Sequence, residues 1–138
     1  MFERYTENAR RVIFFSRYEA SMLGGSTIEP HHLLLGLLRE DQQLFAGFCE
    51  LSASTVDQLR NKIRVATGSS TKISASSDLP LSGQAKDVLK RAADESHQLN
   101  HKHIGTEHLL LGLFGSDRSI AAEILCEMGV DQVPRKRR

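Results

Sequence analysis

The sequence predicts an all-α fold made of two four-helix repeats related by a pseudo-twofold axis, the second lacking a full last helix. Three observations carry this. Ile28 to Leu38 reads I-E-P-H-H-L-L-L-G-L-L and returns 76 residues later, from Ile104 to Phe114, as I-G-T-E-H-L-L-L-G-L-F, with seven of eleven positions identical. The shared L-L-L-G-L excludes the alternation of a half-buried strand and fits a helix that is apolar nearly all round. The same offset pairs Tyr5 with Leu81 and continues without a gap to Leu38 with Phe114. A repeat in so short a chain points to two copies of one folded unit around a shared core.

Within the first copy, Thr6 is an N-cap candidate because its hydroxyl can accept from a first-turn N–H group. Ala9, Val12, Ile13, Ser16, Ala20 and Leu23 then step by three and four residues along one helical face. In the second copy Ser82 takes the capping position, and Ala85, Val88, Leu89, Ala92, Ser96 and Leu99 repeat the face. Gly24 and Gly25, and Asn100 in the second copy, tolerate positive φ and are expected to end these first helices. The second helices should start near Glu29 or Pro30, Pro suiting a first helical position, and at a Thr106 cap. Gly36 and Gly112 fall inside them, where glycine costs roughly 1 kcal/mol relative to alanine. A neighbouring helix too close to admit a Cβ would explain that cost.

Short third helices are expected at Leu44 to Leu51 and Ile120 to Met128. A fourth runs from Ser54 to Thr67 with Val56, Leu59, Ile63 and Ala66 on one face. Its counterpart opens at Val130 to Val133 and stops at Pro134, which lacks an N–H and clashes with the preceding turn. The boundaries are therefore repeat one at 2–67, a Ser-rich linker at 68–80, repeat two at 81–133 and a basic tail at 134–138. The linker is expected to be mobile except near Ile73 and Leu79. The Pro134 break reads as a natural chain end.

Among 138 residues, 25% are charged and 40% apolar, a globular composition. The formal charge of +1 argues against nucleic acid as a partner. There is no run of eighteen apolar residues, the start M-F-E-R-Y-T lacks the basic-then-apolar pattern of a secretory signal, and Cys49 and Cys126 form no C-x-x-C pair. A cytoplasmic protein with no membrane partner and no cofactor is the expectation.

With H-L-L-L-G-L in both copies, the chain from F-E-R-Y-T-E-N-A-R-R-V onward resembles the N-terminal Clp repeat domain of Clp-type AAA+ unfoldases. The family's G-T-E-H stands here as Gly105-Thr106-Glu107-His108, while the first copy has Glu29-Pro30-His31-His32. The resemblance implies a docking platform for clients and adaptors of a Clp unfoldase or protease, and no catalysis. The phosphate-cradling G-x-x-x-x-G-K-[ST] loop of the ATPase modules is not in this sequence. Two alternatives accompany this reading: a structural or regulatory subunit of a Clp protease assembly, or the N-terminal fragment of a full Clp ATPase.

In some members of the family two related pockets bind phosphorylated arginine, a carboxylate of each G-T-E-H holding the guanidinium. By position, one pocket would offer Glu107 with Ser82 and Lys86, and the other Arg4 and Thr6 with His31 where the carboxylate belongs. A histidine does not accept two N–H bonds from a guanidinium as a carboxylate does. The plainer alternative is that Glu107 favours its own helix dipole and that Thr6 and Ser82 only cap.

His97 and His101 lie four apart and could share a helix face, as zinc ligands do, but no third ligand completes the pattern and no metal is expected. A metal-dependent hydrolase is the enzymatic rival. His32 and His108, being repeated, read as structural. Cys49 and Cys126 read as buried, inert thiols. Phe14 and Phe15 face Lys90 and Arg91 in the alignment, so at least one ring lies off the core stripe, packed on the other repeat or open to a partner. Arg135 to Arg138 reads as a solvated tail.

Overall fold

The computed structural model describes residues 2–45, 55–68, 79–115 and 119–128. The described helices are α1 (Glu7–Met22), α2 (Pro30–Glu40), α3 (Thr55–Thr67), α4 (Gly83–Gln98), α5 (Thr106–Phe114) and α6 (Ile120–Glu127), with a 3-10 turn at Gln42–Phe45. The extended backbone among these residues is confined to two isolated parallel bridges, Tyr5 with Ile104 and Ile28 with Leu81. No described helix is long and apolar enough to cross a membrane.

The duplication appears in the hydrogen bonds. Thr6 and Ser82 cap α1 and α4, their hydroxyl oxygens accepting from the N–H of Ala9 and Ala85 at 3.1 and 3.0 Å. Both helices close alike: Gly24 and Asn100 have φ of 77° and 60°. The N–H groups of Gly25 and His101 then donate to the carbonyls of Ala20 and Ser96, each at 2.9 Å. Glycine and asparagine are the residues that take this left-handed turn at little cost.

The Leu-rich helices α2 and α5 sit at the centre. Leu34, Leu35, Leu37 and Leu38 are fully buried, and Leu109 to Leu111 and Leu113 nearly so. Each such side chain contributes roughly 1.5–3 kcal/mol relative to an exposed one. The two internal glycines are where the first helix of each repeat crosses the second. A Cβ on Gly36 would lie 2.5 Å from the Val12 carbonyl oxygen and from Ser16 Oγ, and one on Gly112 would collide with the Val88 carbonyl oxygen. The close approach expected at both positions is present.

Three expectations are corrected. Thr106 is not the cap of α5; Gly105 is, with Thr106 the first helical residue. The Thr106 hydroxyl instead donates to Asp41 Oδ2 of the other repeat at 2.8 Å. On α3, Leu59 and Ile63 are buried but Ala66 is exposed, because the last turn extends past the core. Cys126 is exposed rather than buried, since α6 turns Ile124 and Leu125 inward. Leu79 joins the core, as expected near that end of the linker. Most of the helix expected at Leu44 to Leu51, Cys49, Ile73, Val130 to Val133, Pro134 and the basic tail lie outside the described residues.

Candidate functional site

Extended residues before α1 and α4 reach across the pseudo-twofold axis. The N–H of Ile104 donates to the Arg4 carbonyl at 2.9 Å, and the N–H of Thr6 to the Ile104 carbonyl at 3.0 Å. In the mirror arrangement the N–H of Ile28 donates to the Pro80 carbonyl at 2.8 Å, and the N–H of Ser82 to the Ile28 carbonyl at 3.0 Å. Each repeat therefore places the start of its first helix beside the loop that leads into the other repeat's second helix.

This crossing corrects the pairing that sequence position implies. Arg4 and Thr6 lie with the loop before Glu107, and Ser82 with the loop before His31. The Arg4 guanidinium is anchored there, donating to the carbonyls of Lys102 and His101 and to Ser96 Oγ, each at 3.2 Å. Lys86 stands exposed one turn into α4, the helix whose start lies beside the loop before His31.

Glu107 is partly exposed, its side chain 41% accessible, and its carboxylate folds back on the start of α5. A Cβ on Gly105 would come within 2.5 Å of Glu107 Oε1, so glycine at the cap leaves room for the carboxylate. His103 Nε2 lies 3.9 Å from Glu107 Oε2. The counterpart, His31, is buried, and burial holds its pKa down to about 4. It is a neutral ring at pH 7 and offers no carboxylate chemistry.

His32 and His108 have the structural role expected of a repeated residue. Each turns Nδ1 back to accept the N–H of its helix cap, Glu29 or Gly105, at 2.9 Å. An Nδ1 that accepts carries no proton, so the neutral ring is protonated on Nε2. In repeat two that Nε2–H donates to His101 Nδ1 at 2.7 Å.

The metal reading changes its members. His97 and His101 do not form the group; His101, Glu107 and His108 do, with ligand atoms within 4.8 Å of one another. Yet the two facing nitrogens of His101 and His108 are joined by one proton. An ion between them would require His108 to give up the cap of α5, so the donor set fits capping better than coordination.

Phe14 is 62% exposed, so one ring of the pair is off the core stripe as expected. Its neighbour Phe15 lies under the Arg39 guanidinium, 4.4 Å from the ring centroid. Phe14 and Phe15 meet edge to face at 5.6 Å. In repeat two, Arg91 Nε at the equivalent of Phe15 donates to the Gly112 carbonyl at 3.0 Å.

Sequence reasoning missed the buried carboxylate of Glu19. Arg60 Nε and Nη2 donate to its two oxygens at 2.8 and 2.6 Å, and Arg39 Nη1 adds a third bond at 3.0 Å. A signal was available: Glu19 lies three residues beyond Ser16 on the inward side of α1.

Comparison with known proteins matches residues 4–128 to the family described as the Clp repeat (R) N-terminal domain. The chain is 36% identical over 135 residues to the chloroplastic chaperone protein ClpD2 of Oryza sativa subsp. japonica, covering 95% of this chain and 14% of that protein. It is 32% identical over 130 residues to the negative regulator of genetic competence ClpC/MecB of Bacillus subtilis, covering 94% and 16%. The chain thus spans about one seventh of the length of these relatives. Among solved structures, the N-terminal domain of the ClpD chaperone from Arabidopsis thaliana superposes with a TM-score of 0.75 at 31% identity, covering 94% of this chain and 87% of that one. The Hsp104 N-terminal domain from Candida albicans shares the fold, with a TM-score of 0.72 at 21% identity, covering 92% and 83%.

Proposed function

This chain belongs to the Clp repeat (R) N-terminal domain family, and from that premise we propose that it recruits clients or adaptors to a Clp-type unfoldase or protease. It is a binding module, and recruitment works by raising the local concentration of a client near the machine. The preferred ligand is an anionic modified side chain, phosphoarginine in the first instance. The observation behind this choice is the delivery of Arg4 and the capped start of α1 to the loop before Glu107. A carboxylate for the guanidinium and a helix N-terminus with an arginine for the phosphate are complementary to the two halves of that ligand. Ser82, Lys86 and His31 form the second, weaker pocket, which lacks the carboxylate.

Titration of the protein with phosphoarginine tests this. Glu107→Ala should weaken binding at least tenfold, and unchanged affinity removes the reading. A second reading, that the same module stands at the front of a longer Clp ATPase, is favoured by the small share of each relative's length that it covers.

A further inference from the structure

The two repeats differ at the loop that closes their first helices. Gly25 and His101 occupy equivalent positions, as their matching 2.9 Å bonds to Ala20 and Ser96 show. In repeat two the side chain at that position, His101, accepts the Nε2–H of His108. In repeat one no side chain is there, and a Cβ on Gly25 would lie 3.3 Å from His32 Cε1. A cavity of about 550 Å³ stands there instead, with Leu23, Thr27, Glu29, His31, His32 and Ile63 among its lining residues.

The lining defines a chemistry. His32 Nδ1 is committed to the Glu29 N–H, so Nε2 carries the proton, on the ring edge that His108 turns toward His101 in repeat two and that here borders the cavity beside Gly25. The Glu29 carboxylate is an acceptor; the Thr27 hydroxyl, at 2.7 Å, takes one of its roughly four lone-pair positions. Leu23 and Ile63 add apolar wall. Burial keeps His32 and His31 neutral, so among the described residues the lining carries negative and no positive charge. An anion would be repelled by Glu29, and an ammonium group would leave the His32 donor unmatched.

We propose that this cavity binds a primary carboxamide, its carbonyl accepting from His32 Nε2–H and its NH2 donating to the Glu29 carboxylate. The cavity shares His31 with the weaker anion pocket at the start of α2, but the two groups that would hold the amide, His32 Nε2–H and the Glu29 carboxylate, belong to neither anion pocket, so the site does not depend on phosphoarginine binding. Its natural source is either a small amide or a glutamine or asparagine side chain of a polypeptide.

The test uses the full chain with labelled methyl groups and histidine rings, titrated with propionamide and with propionate, which has the same shape and a negative charge. Propionamide should shift the Leu23, Ile63 and His32 resonances saturably, in the millimolar range expected of so small a ligand. Propionate should not. Gly25→His, which copies repeat two, should weaken propionamide binding at least tenfold. No saturable shift, equal binding of propionate, or unchanged binding in a folded Gly25→His variant would each overturn the proposal. If that variant fails to fold, intermolecular nuclear Overhauser contacts from propionamide to Ile63 and His32 in the unaltered protein decide: their presence supports the site and their absence overturns it. Tighter binding of a blocked glutamine than of propionamide would support the site with a polypeptide as its source, and equal binding would support it with a small amide.

Discussion

The Glu19 carboxylate, with no exposed surface, accepts from Nε and Nη2 of Arg60 at 2.8 and 2.6 Å, tying α3 to α1 across 41 residues of sequence. Arg60 also reaches Asp57 on its own helix, and its guanidinium is held still more firmly protonated than usual by the Glu19 hydrogen bonds. A buried carboxylate is tolerated only while such partners remain.

Arg60→Met should therefore cost about 3 kcal/mol, because it strands the Glu19 charge with Arg39 alone. Glu19→Leu combined with Arg60→Met should cost less than the two single changes summed, since both charges leave together. Urea unfolding of the four proteins checks this, and strict additivity would show that the pair is not coupled.

Gly112→Ala sets a helix-propensity gain of about 1 kcal/mol against overpacking of about 1–3 kcal/mol at the Val88 carbonyl. The backbone of α4 cannot yield as a flexible side chain would, so a net loss of roughly 1–2 kcal/mol is expected. A raised unfolding midpoint would show that α4 and α5 separate easily.

Burial depresses His31 and His32 to about 4 and about 3. The unfolded chain then binds protons more readily than the folded one, so their contribution is fully present above about pH 6.5 and is lost as pH falls toward those values. At pH 5 the loss is about 2 kcal/mol per histidine. His31→Gln should flatten the fall in melting temperature between pH 7 and pH 5, and an identical fall would exclude His31 as a source.

The crossed arrangement makes a prediction about coupling at the proposed anion sites. Glu107→Ala and Thr6→Ala should be non-additive toward phosphoarginine, while Glu107→Ala and Lys86→Ala should add. The opposite pattern in double-mutant titrations would restore the pairing within one repeat.

Much of the fold was legible because it rests on local periodicity. The apolar face of α1 and its copy in α4, the positive φ at Gly24 and Asn100, and the tight crossings at Gly36 and Gly112 follow from spacing and from what glycine permits. Thr106 was misread because its hydroxyl suits a cap, while the true cap uses His108 reaching back to the Gly105 N–H. Cys126 was misread because a small apolar residue in a short helix has two faces available, and Ile124 and Leu125 took the inner one.

From its sequence alone, this chain declares two copies of one helical unit, with capped first helices and a Leu-rich second helix in each. Side-chain periodicity and capping depend on residues within a few positions of one another, so the linear pattern suffices for them. Which helix start meets which loop was decided only in three dimensions, where the bridges of Tyr5 to Ile104 and Ile28 to Leu81 carry the residues leading into each copy's first helix to the other copy. The burial of Glu19 between Arg39 and Arg60, and the cavity left where Gly25 replaces a histidine, belong to the same class. They depend on contacts between segments far apart in sequence, and no spacing rule reports such contacts.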